Sequence, residues 1–240
     1  MLLLFFLLLG FVKGESKENR GSSPYLPSER ATSEYMLGNI SVGIFFIESN
    51  ATNPPEENTE DWNETEIKKA KSEILQSFHW WEERASENNS YINFSWEFHV
   101  RVNVSIEPIK HKGSSSEEGE DLWKWIDEAT DSLGFEAPGF DGVIDYINDL
   151  RKRMETDWSF AIFVVDSSND EDNKFSDGEF AFSYLGGPFL VMTLENQNYT
   201  LENMDAVCAH EIAHIFFALD EYEEAQEPKD KRTGYLNVAN

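Results

Sequence analysis

An α+β fold, with helices layered on both faces of one mixed, twisted sheet, is what this sequence predicts. Three observations point there. Every even position from Ile92 to Ile106 is apolar and every odd position between them is polar, which is the period of a strand. Two short runs, NISVGIFFIES (39–49) and WSFAIFVVD (158–166), are apolar without alternation, as in strands buried on both faces. Between these segments lie stretches whose apolar residues recur at helical spacing. Strands and helices interleaved along the chain favour layers of both elements around one core.

Taken in order, the chain opens with MLLLFFLLLGFV, an apolar run too short to cross a bilayer as a helix. With small residues near Gly14 it reads as the core of a secretory signal, residues 1–14, and a surface tether is the weaker alternative. Residues 15–36 are polar and punctuated by Pro and Gly, which predicts a flexible leader. A single domain then spans 37–240.

Within it, the first strand (39–49) is followed by a loop that Pro54 and Pro55 keep out of regular structure. Ile67, Ala70, Ile74, Phe78 and Trp81 then mark a helix over 62–87. The alternating strand (92–106) is expected to bury one face and to bend or bulge within its length. Leu122, Trp125, Ile126, Ala129 and Leu133 mark a second helix; Val143, Ile144, Ile147 and Leu150 mark a third. After the strand at 158–166 comes an acidic loop, SSNDEDNKFSDGE. FAFSYLGGPFLVMT then reads as two short strands broken at Gly186, Gly187 and Pro188. The last helix starts near Asn203.

The 240 residues suffice for one sizeable core. A net charge of −27 repels nucleic acid and anionic membrane surfaces, so neither is an expected partner and no stable membrane insertion is expected. Cys208 is the lone cysteine, which excludes an intrachain disulfide. Asn-X-Ser/Thr sequons stand at Asn39, Asn50, Asn63, Asn88, Asn93, Asn103 and Asn198. Chance would supply about two, and the excess predicts a secreted glycoprotein.

The chemistry concentrates in DAVCAHEIAHIFFALDEY (205–222), an apolar helix that keeps His210, Glu211 and His214 at its centre. Four residues apart on a helix, both imidazoles lie on one face and can reach one ion at about 2 Å. Glu211 projects beside that ion without ligating it, placed to take a proton from an activated water. Buried polar groups without partners would cost about 1–3 kcal/mol each, so a metal turns a burden into a site. Zinc needs a third protein ligand. Asp220 lies ten residues after His210; on a straight helix it would stand about 15 Å farther along the axis. The helix must therefore end near Phe217 or Ala218 and the chain fold back.

HEIAHIFFALD resembles the metzincin consensus H-E-x-x-H-x-x-G-x-x-H/D, and ALDEY resembles the secreted metallopeptidases of the IgA-peptidase-like group. The resemblance implies zinc on His210, His214 and Asp220, Glu211 as general base, and a protein or peptide substrate. It implies a metzincin-like upper lobe in which GGPFLVMT is the edge strand. Gly187, Phe189, Leu190, Val191, Met192 and Thr193 would then pair with an extended substrate. Phe217 occupies the family's glycine, so the turn there is expected to be built differently, and no methionine follows Met204, so a C-terminal continuation is expected.

Other features read more plainly. Cys208 is expected in the core, and His79, His99 and His111 at the surface or a helix edge. Tyr222 could hydrogen-bond near the site, a plain packing role being the favoured reading. Asp166, Asp170, Asp172, Asp177 and Glu179 offer Ca²⁺ clustered carboxylates, but without the twelve-residue calcium-loop pattern a solvated loop is the favoured reading. Two rivals stand beside the zinc endopeptidase: a non-catalytic module binding protein or glycan, and a gluzincin-type peptidase whose third ligand lies outside this chain.

Overall fold

The computed structural model describes residues 28–52, 61–110, 120–197, 199–220, 222, 225, 227–228 and 230–239. The signal segment 1–14 and most of the leader lie outside them. Among the described residues the architecture is mixed α+β: a five-stranded sheet, mostly parallel, between two helical layers. In chain order the elements are β1 (Gly38–Ser49), α1 (Glu64–Glu87), β2 (Ile92–Val104), α2 (Glu120–Asp131), α3 (Phe140–Met154) and β3 (Trp158–Val165). β4 (Ala181–Ser183), β5 (Phe189–Thr193), α4 (Met204–Ile215), β6 (Arg232–Thr233) and β7 (Val238–Ala239) follow. A single 3₁₀ turn, Leu201–Asn203, leads into α4.

The sheet order is β2-β1-β3-β5-β4. The first four strands are parallel and β4 alone runs antiparallel, at one edge. β1, β3 and β5 are covered on both faces, which is why their sequences are apolar without alternation. Ile40, Val42, Ile44 and Phe46 of β1 pack with Ile67, Ile74 and Phe78 of α1 and with Cys208 and Ile212 of α4. Phe45 and Ile47 face the other way, onto Trp125 and Ile126 of α2 and Val143 and Ile147 of α3. α1 starts at Glu64, later than the expected 62, because Asn63 closes a capping box: its Oδ1 accepts from the Thr65 and Glu66 amides, and Glu66 accepts from the Asn63 amide.

The alternating strand holds the expected bulge, with a consequence for its faces. Phe45 pairs with His99 but Ile47 pairs with Val102, so β2 carries one extra residue there, and Arg101 takes φ +54°. A one-residue insertion exchanges the two faces. Ile92 and Phe94 pack on the α1 side, whereas Val102 and Val104 join the α2–α3 side. The apolar set is therefore shared between both cores, and Trp96, near the crossover, is 41% exposed. Arg101 holds the bulge by donating to Glu64 and to the Trp62 carbonyl at 2.8 and 2.9 Å.

Two sequence expectations are corrected by the fold. The end of the leader is not a free linker, since Thr32 and Ser33 are buried. β3 starts before β5 has come alongside, and the leader supplies what that stretch lacks: the Ser159 amide donates to the Thr32 carbonyl at 3.0 Å. Asn148 and Arg151 of α3 donate to the Glu29 and Ala31 carbonyls. The second correction concerns the edge. Phe189, Leu190, Val191, Met192 and Thr193 form an interior strand, fully buried and flanked by β3 and β4, and Gly187 belongs to the turn that enters it. The edge is β4. Among the described residues no helix is long and apolar enough to cross a membrane.

Candidate metal centre

α4 is buried through Met204, Cys208, Ile212 and Ile215, which leaves the face carrying His210 and His214 toward the open side below β4. The helix ends at Ile215, short of a simple extension of its apolar run, and the chain reverses at once. The Phe217 amide donates to the His214 carbonyl at 2.9 Å and the Ala218 amide to the Ala213 carbonyl at 3.0 Å, the paired bonds of a Schellman stop. That motif needs a left-handed residue, and Phe217 takes it, at φ +72°. The expectation of a differently built turn is thus corrected: the turn has the glycine conformation with a phenylalanine in it. The ring is accommodated because it lies over Gly186, where an added Cβ would meet Phe217 Cζ at 2.5 Å. Thr233 of β6 donates to the Phe217 carbonyl at 2.6 Å and ties the turn down from outside.

This reversal carries Asp220 back to the helix. His210 Nε2 and His214 Nε2 are 3.0 Å apart; Asp220 Oδ1 lies 3.0 Å from the first and 3.3 Å from the second. Among the described residues these three side chains form the one group whose ligand atoms gather closely enough to hold a metal ion. His214 Nδ1–H donates to the Ala218 carbonyl at 2.7 Å, which assigns its lone pair to Nε2, facing the other two atoms. Asp220 Oδ1 is shut off from solvent and faces both imidazoles. A cation at their common point would engage both imidazole nitrogens and the carboxylate oxygen together. Ligands about 2.0–2.1 Å from a tetrahedral ion stand roughly 3.3 Å apart, close to the separations seen here. The donor set fits zinc.

Glu211 is 6% exposed, beside this point but not part of the triad. Burial pushes its carboxyl up to about 7, against the stabilising effect of a hydrogen bond from Ser183. Burial and the neighbouring His214 hold His210 below the usual imidazole range. Ser183, on edge strand β4, is invisible as a site residue in the sequence alone. Its Oγ lies 2.6 Å from Glu211 Oε2 and 2.9 Å from the Glu211 carbonyl. A single serine in an aromatic stretch carries no motif, and only the sheet order sets it above α4. Ser183, Leu185, His214, Leu219, Asp220 and Glu227 line a cleft of about 200 Å³.

The remaining candidates fall outside the centre. Cys208 is buried against Ser77, and burial pushes its thiol up to about 12. His79 is exposed beside Glu82 and Glu83. His99, expected at the surface, is half-buried between Glu97 and Tyr146, and burial lowers its pKa. His111 lies outside the described residues. Tyr222 is half exposed; burial first, then the Asp220 carboxylate, raises its hydroxyl above the ordinary range. In the acidic loop the carboxylates turn onto local backbone. Asp166 accepts from Ser168, Asp170 from Asp172 and Asp177 from Glu179.

No known family model matches the chain, and no curated protein matches it in sequence.

Proposed function

We propose that this protein is a secreted, zinc-dependent endopeptidase of the metzincin type. The observation that carries the reading is the convergence of His210 Nε2, His214 Nε2 and Asp220 Oδ1, with Glu211 buried alongside. His210, His214 and Asp220 would hold the ion. Zinc supplies Lewis acidity there, polarising the scissile carbonyl and making water acidic enough to attack it.

The chain's own groups do the rest. Glu211 accepts the proton of the attacking water and delivers it to the departing amine. A carboxyl whose burial moves it to about 7 is suited to both halves of that exchange at neutral pH. The burial of Glu211 keeps bulk water from the base. The substrate strand is β4 rather than β5. Phe180 and Tyr184 bond to β5 through the Thr193 amide and the Phe189 carbonyl, so the alternate residues Ala181 and Ser183 turn their amide and carbonyl groups outward. An extended peptide pairs there, antiparallel, above the metal ligands. The excess of sequons and the apolar start of the chain support export and glycosylation.

The test is Glu211→Gln. The variant should retain one equivalent of zinc, by elemental analysis, and lose cleavage of an unstructured protein such as casein. Cleavage at the wild-type rate would remove Glu211 from the mechanism.

A further inference from the structure

Resting on the peptidase reading, we infer that Ser183 is a positioning residue that couples substrate docking on β4 to the orientation of the general base. Three observations lead there. Ser183 belongs to the outward-facing set of β4, so its amide and carbonyl lie on the substrate-pairing edge. Its side chain leaves the plane of the sheet toward α4, with Oγ at 2.6 Å from Glu211 Oε2. The same Oγ is 2.9 Å from the Glu211 carbonyl.

The second contact gives the arrangement its use. A serine hydroxyl has one proton to donate and two lone pairs to accept with. Ser183 Oγ stands between Oε2 of Glu211 and the carbonyl of the same residue, so it ties the side chain to its own stretch of helix backbone. An alanine removes that tie, and Glu211 would be free to swing. Because the holding residue is part of the strand on which the peptide lies, movement of that strand on docking moves the base with it.

The experiment compares wild type, Ser183→Ala and Ser183→Thr, all loaded with zinc, in steady-state cleavage of a fluorogenic peptide, alongside crystal structures of the zinc-free wild type and alanine variant. Ser183→Ala leaves the backbone edge intact, so KM should change little while kcat falls roughly ten- to a hundredfold, the usual loss when a partner behind a catalytic group is removed. Threonine keeps the hydroxyl and suits a strand, so it should restore most of kcat. In the crystals Glu211 should leave its wild-type position only in the alanine variant. A wild-type kcat in Ser183→Ala, a loss confined to KM, or an unmoved Glu211 carboxylate overturns the inference. Wild-type protein that takes up zinc and cleaves nothing overturns the peptidase reading, and the crystallographic comparison still judges Ser183.

Discussion

The turn that brings Asp220 to the histidines makes a ranking that ordinary substitution rules would reverse. Phe217 stands at φ +72°, a conformation that costs a side-chain-bearing residue about 1–2 kcal/mol. Glycine escapes that cost but loses about 0.5–1 kcal/mol through the greater freedom of its unfolded chain. Phe217→Gly and Phe217→Ala both remove the ring over Gly186, so that loss cancels between them. Glycine should therefore be the more stable variant by about 0.5–1 kcal/mol. Against wild type, the ring is half-buried and its removal costs roughly 1–1.5 kcal/mol. The glycine variant should thus lie close to wild type and the alanine variant clearly below it. For a chain of this size 1 kcal/mol moves Tm by about 2–4 °C, so thermal unfolding of the zinc-free proteins, followed by circular dichroism, resolves the order. Alanine equal to or above glycine would mean that the Schellman turn is not formed, and the route by which Asp220 reaches the centre would fail with it.

Two further predictions concern the scaffold. Glu48 is pushed up to about 7 by burial and by the nearby Asp61 and Asp166 carboxylates. A carboxyl raised from 4.5 in the unfolded chain favours folding at low pH, and that contribution is lost as pH climbs from about 4.5 through 7. Glu48→Gln should match wild type in urea unfolding at pH 5 and exceed it at pH 8 by about 1–2 kcal/mol, the full shift being discounted for partial exposure; a pH-independent difference would refute this. Asn63→Ala removes the cap of α1 and should cost about 1 kcal/mol, seen as a lower urea midpoint with unchanged slope.

Where a single physical pattern dominates, the chain is legible from its residues alone. β1 and β3 lie where continuous apolar runs put them, and the helices where apolar residues recur at helical spacing, because burial alone selects those elements. The convergence of His210, His214 and Asp220 is also readable, since an i, i+4 histidine pair and a carboxylate ten residues on constrain the backbone strongly. The rest depends on relations between strands. Nothing in FAFSYLGGPFLVMT says which half is the edge; β5 is interior because β3 claims its other side, and that pairing is set by loops elsewhere. The even-numbered apolar residues of β2 resemble one continuous face, yet the bulge at Arg101 passes Val102 and Val104 to the other core. Phe217 looks incompatible with a glycine turn because its compensation, an empty space over Gly186, lies thirty-one residues upstream. Ser183 is hidden for the same reason: its partner is on another element.

Zinc K-edge X-ray absorption of the protein loaded with one equivalent of zinc tests the centre directly. The expected first shell holds two imidazole nitrogens and carboxylate oxygen, and loses its carboxylate contribution in Asp220→Ala. A protein that does not take up the ion, or a shell unchanged by that substitution, would contradict the proposed centre.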